Sequence, residues 1–254
     1  MDAAVLFPAT PKAVKAAPLK LNRRMSAEQA FERIVGNCLA QIVANEEGVA
    51  RFHDVESLHQ MRVGLRRLRA ALAMFEDLLV LPLNLSAELD WLSGELGPAR
   101  DWDVLLESTL PCAGRAMPAD ESLQEVTRLV QEGATAMHAR VAAAVSSPRY
   151  RQLVSALDAW CERRGWRDML SVTRQARLKM RAADVAATIL EDDQRRLEKR
   201  GRKLRDGGPQ ERHRLRIAAK RTLRGRIFLV AVSCNGGCGP TWRPCRVCKM
   251  NWAQ

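Results

Sequence analysis

From Ser26 onward the apolar residues recur three and four apart. Phe31, Ile34, Val35, Cys38, Leu39, Ile42 and Val43 mark one face of a helix, and Ser26 with Gln29 forms a capping box ahead of it. A second helix is expected from near Asp54 to before Pro82. Its Leu58, Met61, Leu65, Leu68, Leu72 and Phe75 form a heptad seam suited to packing on another helix. Ser86 is expected to cap a third helix carrying Leu89, Leu92 and Leu96. Gly97-Pro98 should end it, with Pro98 opening a new helix that runs to Pro111. Asp120 reads as the cap of a helix with Leu123, Val126, Val130, Met137 and Val141, and Ser147-Pro148 as the start of another that stops at Gly165. A highly charged helix over 182–205 is closed by "DGGP", and a basic helix follows it. Period-two runs and hairpin signals are absent, so the fold class is all-α, with helices joined by short turns in bundles.

Charge changes this picture more than composition does. Apolar content is 47%, an ordinary value, but 41 Lys and Arg against 29 Asp and Glu leave a net charge of +12, which points to a polyanionic partner. Aromatic content is 5%, with one Tyr, and this argues against a reader of single strands that stacks bases on rings. No run of eighteen apolar residues exists, so no membrane span is expected. Residues 1–25 have the Pro/Ala/Lys composition of a linker or arm and lack the pattern of a secretory leader, so a cytoplasmic location is expected. Cys38, Cys112 and Cys161 are scattered and read as buried thiols.

The charge is concentrated in "SLHQMRVGLRRLRA" at Ser57–Ala70. At about 100° per residue, His59, Arg62, Arg66 and Arg69 fall within an arc of about 80°. The apolar seam is the same pattern shifted by one residue, so the basic stripe borders the buried face. Four cations on one stripe beside low-dielectric walls repel unless something anionic faces them. Carboxylates of neighbouring helices are one candidate. A bound polyanion is the other, since guanidinium groups suit phosphate oxygens bidentately. The pattern returns at Glu211–Arg224, "ERHRLRIAAKRTLR": His213, Arg216 and Lys220 keep the spacing of His59, Arg62 and Arg66, and Arg221 matches Arg67. A merely solvated face has no reason to repeat a histidine in register, so the echo favours a shared anion site.

"LHQMRVGLRRLRAALAMFEDLL", then "LSGELGPARDWDVLL", then "HRLRIAAKR" together resemble the CHAD domain, the conserved-histidine α-helical domain, over residues 26–221. The resemblance implies half-repeats of about 26–145 and 146–221, forming two pseudo-symmetric antiparallel helical bundles around a basic channel. It also implies a non-catalytic module, without cofactor, that binds inorganic polyphosphate, free or in granules. Carried over residue by residue, His59, Arg62, Arg66, Arg67 and Arg69 match the first helix of that surface, and His213, Arg216, Lys220 and Arg221 the second. Arg100 matches the motif arginine, and Asp101 and Asp103 its acidic positions, read as groups that hold arginines in place. A local ion pair at a helix start is an equally good reading of Arg100–Asp103. The N-terminal arm resembles the linker that follows the CYTH domain in CYTH–CHAD fusions, so the chain could be the detached half of a CYTH-type triphosphatase.

Beyond Arg221 the family pattern is expected to lapse. Residues 222–254 lose periodicity and become rich in Gly, Cys, Pro and Trp, which leaves the second bundle incomplete. An altered reading frame near codon 222 would produce such a tail. The competing reading is zinc on Cys234, Cys238, Cys245 and Cys248, whose spacing supplies four thiolates but is short for a zinc ribbon. For the chain as a whole, weak non-specific nucleic-acid binding is the alternative function, since no helix-turn-helix or aromatic platform would give specificity. No P-loop, zinc-protease or nucleophile-elbow motif marks an enzyme.

Overall fold

Ser26 and Gln29 close the expected capping box: the Gln29 amide N–H donates to Ser26 Oγ at 3.2 Å, and the Ser26 N–H to Gln29 Oε1 at 3.0 Å. Helix α1, Ala27–Val43, starts there. The computed structural model describes residues 12–116, 121–202, 204 and 208–233. Among them are nine further α-helices: α2 Glu46–Phe52, α3 Val55–Met74, α4 Leu83–Val104, α5 Leu110–Ala116, α6 Glu121–Ser146, α7 Pro148–Glu162, α8 Val172–Lys179, α9 Ala182–Arg202 and α10 Pro209–Ser233. A π-helical segment, Leu105–Thr109, joins α4 to α5. The described residues contain no strand, and the fold is all-α.

Three local signals act as expected. Asp54 accepts from the Ser57 N–H at 2.7 Å and so caps α3. Ser147 accepts from the Tyr150 N–H at 3.2 Å, with Pro148 as the first residue of α7. The charged segment after Arg181 is helical from Ala182.

Four expectations need correction. Gly97-Pro98 does not divide two helices, because α4 runs through Pro98. Proline there withholds one N–H from the Gly94 carbonyl, a loss the long helix absorbs without ending. Ser86 is not a cap: α4 begins at Leu83, and the Ser86 N–H already donates back to the Pro82 carbonyl at 3.0 Å. On α6 the buried stripe is Ala134, His138, Val141, Ala142 and Val145, while Val126 is exposed. Cys112 is exposed too, whereas Cys38 is buried. The expected cap Asp120 lies outside the described residues.

By packing, the described chain forms two compact units that interleave in sequence. The first takes 12–17, Cys38–Leu65 and Pro82–Ala159, and the second takes Pro18–Asn37, Arg66–Leu81 and 160–233. This partition is not the sequence partition near residue 145, because α1 and α3 each contribute to both units. In the first unit, Cys38, Leu39 and Ile42 of α1, Leu58, Met61 and Leu65 of α3, and Leu85, Leu89, Leu92 and Leu96 of α4 are all buried. Gly64 lets α3 approach α1 closely: a Cβ on it would stand 2.9 Å from Ile42 Cγ1 and 3.3 Å from the Cys38 carbonyl oxygen.

In the second unit the rings of Phe31, Phe75, Trp160, Trp166 and Phe228 form a cluster, with centroids 5.1–6.2 Å apart in mostly edge-to-face pairs. Beside it Glu28, buried at the start of α1, accepts from Trp166 Nε1 at 2.9 Å and from Arg167 Nε at 2.7 Å. Arg167 above all, with Trp166 assisting, holds this carboxyl below the usual carboxylate range against the opposing effect of burial. Phe228 lies beyond Arg221, where periodicity was expected to fade. Instead Ala218, Gly225, Phe228 and Val232 carry a buried face seven, three and four residues apart along α10.

Phe228→Ala should therefore cost about 3–5 kcal/mol in urea unfolding, and a cost near zero would remove the end of α10 from the core. Glu28→Gln should cost about 1–3 kcal/mol at neutral pH. Because the folded Glu28 titrates low, its contribution is present above pH ~4.3, the unfolded value, and is lost as pH falls through the folded one. The gap between wild type and variant should close over that acid range.

Candidate functional site

The basic residues of α3 occupy a specific gap in its packing. From Ser57 to Ala71 every residue is buried except His59, Arg62, Arg66 and Arg69, the four on the sequence-derived stripe. His59 and Arg62 are half-buried, and Arg66 and Arg69 are exposed. The intervening Arg67 is 8% exposed and donates to Asn37 Oδ1 of α1 at 2.7 Å. Its neighbours on the stripe and Arg67 itself thus have different surroundings despite adjacent places in sequence.

In the first unit Arg62 reaches across to α4. Its Nη1 donates to the Gly97 carbonyl at 2.8 Å, and its Nη2 lies 3.9 Å from the exposed Asp101 carboxylate. Gly97 makes room for this approach, since a Cβ there would stand 3.2 Å from Arg62 Nη1. Arg100, one turn on, donates to Glu107 at 2.9 Å and stands 3.8 Å from Asp103. Asp103 is 2% exposed, and its close partner is His138 of α6, with Nε2 to Oδ1 at 2.7 Å. The other Asp103 oxygen, Oδ2, has no hydrogen-bond partner among the described residues, with Arg100 Nη1 3.8 Å away. Next to this pair the Trp102 ring lies over Gly133, where a Cβ would come within 2.7 Å of the ring. Residues 102 and 103 thus seat α4 on α6, and Asp101 is left to face Arg62.

His138 was not among the sequence candidates. A lone histidine carries little signal by itself, but its spacing from Ala134, Val141 and Val145 places it on the buried stripe of α6. A histidine on such a stripe needs a buried polar partner, and only tertiary packing shows that the partner is Asp103, 35 residues away.

In the second unit the repeated helix is open where α3 is enclosed. His213, Arg216 and Lys220 are exposed on α10, as are Ala219 and Ile217, the latter by 45%. The sequence repeat is therefore not a repeat of burial. Arg221 turns inward: its Nη2 donates to Glu76 at 2.8 Å, and its Nε lies 3.3 Å from the buried Asp193 of α9. Burial favours loss of the Arg221 proton, but Glu76 and Asp193 outweigh it and hold the guanidinium charged. For Asp193 burial prevails over the pull of Arg221 and Arg196 and raises its pKa.

Among the described residues no three His, Cys, Asp or Glu side chains converge as metal ligands, and no helix is long and apolar enough to cross a membrane. Cys234, Cys238, Cys245 and Cys248 lie outside the described residues.

The Asp103–His138 pair predicts an asymmetric response in urea melts. His138→Ala strips the buried carboxylate of its close partner and should cost about 3–5 kcal/mol. Asp103→Asn keeps an acceptor and should cost less than half as much. Equal costs would mean that the pair fills space without carrying charge.

The sequence matches the family model of the CHAD domain over residues 33–230, a span that takes in every basic candidate and runs past Arg221 to Val230. Among solved structures, the crystal structure of the CHAD domain from the plant Ricinus communis is 38% identical, with a TM-score of 0.72, and the match covers 87% of this chain and 71% of that chain. Among curated proteins, none matches. With the helical architecture, the histidine-headed basic helix and a family match across more than half its length, the chain belongs to the CHAD domain family.

Proposed function

We propose that this chain is a non-catalytic binding module for inorganic polyphosphate, and that His59, Arg62, Arg66 and Arg69 are the core of its binding surface. One observation carries the reading: these four are the residues left unburied on an otherwise enclosed stretch of α3. At 1.5 Å per residue the stripe is about 15 Å long, a linear cationic track suited to a linear polyanion. Arginines dominate it, and their planar forks match tetrahedral phosphate oxygens. His213, Arg216 and Lys220 are a second, exposed set on α10 with the same spacing. Arg67, Arg100 and Arg221 have protein acceptors at 2.7–2.9 Å, so in this reading they support the surface. Asp101 and Asp103 position it: the first faces Arg62, and the second anchors α4 beneath Arg100.

A second reading rests on the net charge of +12, which alone suffices for non-specific contact with DNA or RNA. The two differ in selectivity. Immobilised long-chain polyphosphate should retain the protein at physiological salt and withstand competition by duplex DNA at equal phosphate concentration. Equal competition would leave only the general electrostatic reading. Arg66→Ala and Arg216→Ala should each weaken polyphosphate binding by about 1–3 kcal/mol, roughly 5- to 150-fold. Affinity should fall steeply with added salt as counterions are released. No phosphate should be released from triphosphate or polyphosphate with Mg²⁺ or Mn²⁺ present.

A further inference from the structure

Helices α9 and α10 pack along one another, and the chemistry of their seam changes along its length. At one end it is apolar, with buried Val185 and Ala186 on α9 and Phe228 on α10, and with Gly225 of α10 admitting Leu190 to 3.6 Å from where a Cβ would stand. Towards the turn the facing residues become charged. There a cleft of about 530 Å³ is lined by Arg196, Lys199 and Arg200 of α9 and by Glu211 and Arg214 of α10. Among the described residues, four cations thus share the cleft with one lining carboxylate.

These cations are not matched by short ion pairs. Elsewhere in the molecule Arg140, Arg149, Arg167 and Arg181 each take a carboxylate at 2.6–2.8 Å. Within the cleft, Arg196 stands 3.6–3.9 Å from Asp193, Asp77 and Glu76, and Arg214 stands 3.9 Å from Glu211. Arg200 donates to the Arg214 backbone carbonyl at 3.1 Å, which brings a guanidinium of one helix onto the other without neutralising it. Among the described residues, neither Lys199 nor Arg200 has a carboxylate within ion-pair distance.

We infer that this cleft is a separate anion site, which takes a compact oligophosphate group bridging α9 and α10. It is distinct from the stripe set of α10. At about 100° per residue, Arg214 and Glu211 lie about 100° and 160° round the helix from His213, on the side opposite to Arg216 and Lys220. A compact ligand fits better than an extended chain, because the exposed cations of two helices line one open cleft and do not follow a track along one helix. Guanidinium and ammonium groups that share a cleft without short carboxylate pairs are donors that a phosphate cluster can satisfy. Binding would also relieve their mutual repulsion and so tie the two helices together near their turn.

The inference does not depend on the polyphosphate reading, and the two can fail separately. The probe is inorganic tripolyphosphate, titrated calorimetrically into the full chain and into three multiple variants. In a stripe-deleted background, Arg66→Ala/Arg69→Ala/Arg216→Ala, saturable binding should persist, and tripolyphosphate should still raise the melting temperature. Adding Lys199→Ala/Arg214→Ala should weaken it at least tenfold and abolish the thermal shift. Both residues are exposed, so the variant should fold, and its melt without ligand checks this. A charge-matched control, Arg51→Ala/Arg128→Ala, should change affinity less than twofold. Loss of all saturable binding in the stripe-deleted chain, or equal weakening in the charge-matched control, would overturn the cleft assignment. Long-chain polyphosphate binding that ignores the stripe deletion would instead overturn the polyphosphate reading alone.

Discussion

The enclosure of α3 is the constraint on which the rest of the structure depends. A helix buried on nearly every side must be apolar or internally satisfied at each enclosed position, and any charge must go where the packing leaves an opening. Gly64 lets α1 come within van der Waals range, and Leu58, Met61, Leu65 and Leu68 close the seam. The opening that remains is narrow and coincides with His59, Arg62, Arg66 and Arg69. Arginine suits such a border, because its stem lies against apolar neighbours while the guanidinium reaches outward. Charge density on the helix is therefore high without a correspondingly high cost of desolvation.

The acidic residues then divide the cations into different kinds. Two enclosed guanidinium groups have acceptors in the protein: Asn37 for Arg67, and Glu76 and Asp193 for Arg221. Asp103, the most deeply enclosed acid of the Arg-Asp-Trp-Asp segment, is committed to His138 and only secondarily to Arg100. These pairs fix backbone positions, and the helices so placed carry the remaining cations in register. In the cleft between α9 and α10 the cations are exposed, and Arg196 and Arg214 stand 3.6–3.9 Å from their carboxylates, longer than the short pairs elsewhere.

Much of this was legible along the chain because it is local. The Ser26–Gln29 box, the Asp54 cap and the Ser147-Pro148 start depend on a few consecutive residues, and the stripe of α3 follows from helical geometry alone. What escaped was competition between local rules and long-range packing. Pro98 forbids one hydrogen bond, yet α4 continues through it because Leu89, Leu92, Leu96 and Ala99 are buried on both sides of it. The end of α10 reads as irregular in composition, yet Phe228 completes a ring cluster assembled from four distant segments. His138 is mute until α6 meets α4.

By itself, the sequence determined the all-α class, the register of the basic stripe against its apolar seam, and the repeat of that stripe near residue 213. These follow from the 3.6-residue turn and from the chemistry of single side chains. Tertiary structure alone decided which arginines are left exposed and which are buried. Arg66 and Arg67 are consecutive and chemically identical, so nothing in their order separates them. One stands exposed at the opening of the packing and the other is buried and donates to Asn37, because burial is set by the packing in space and not by order along the chain.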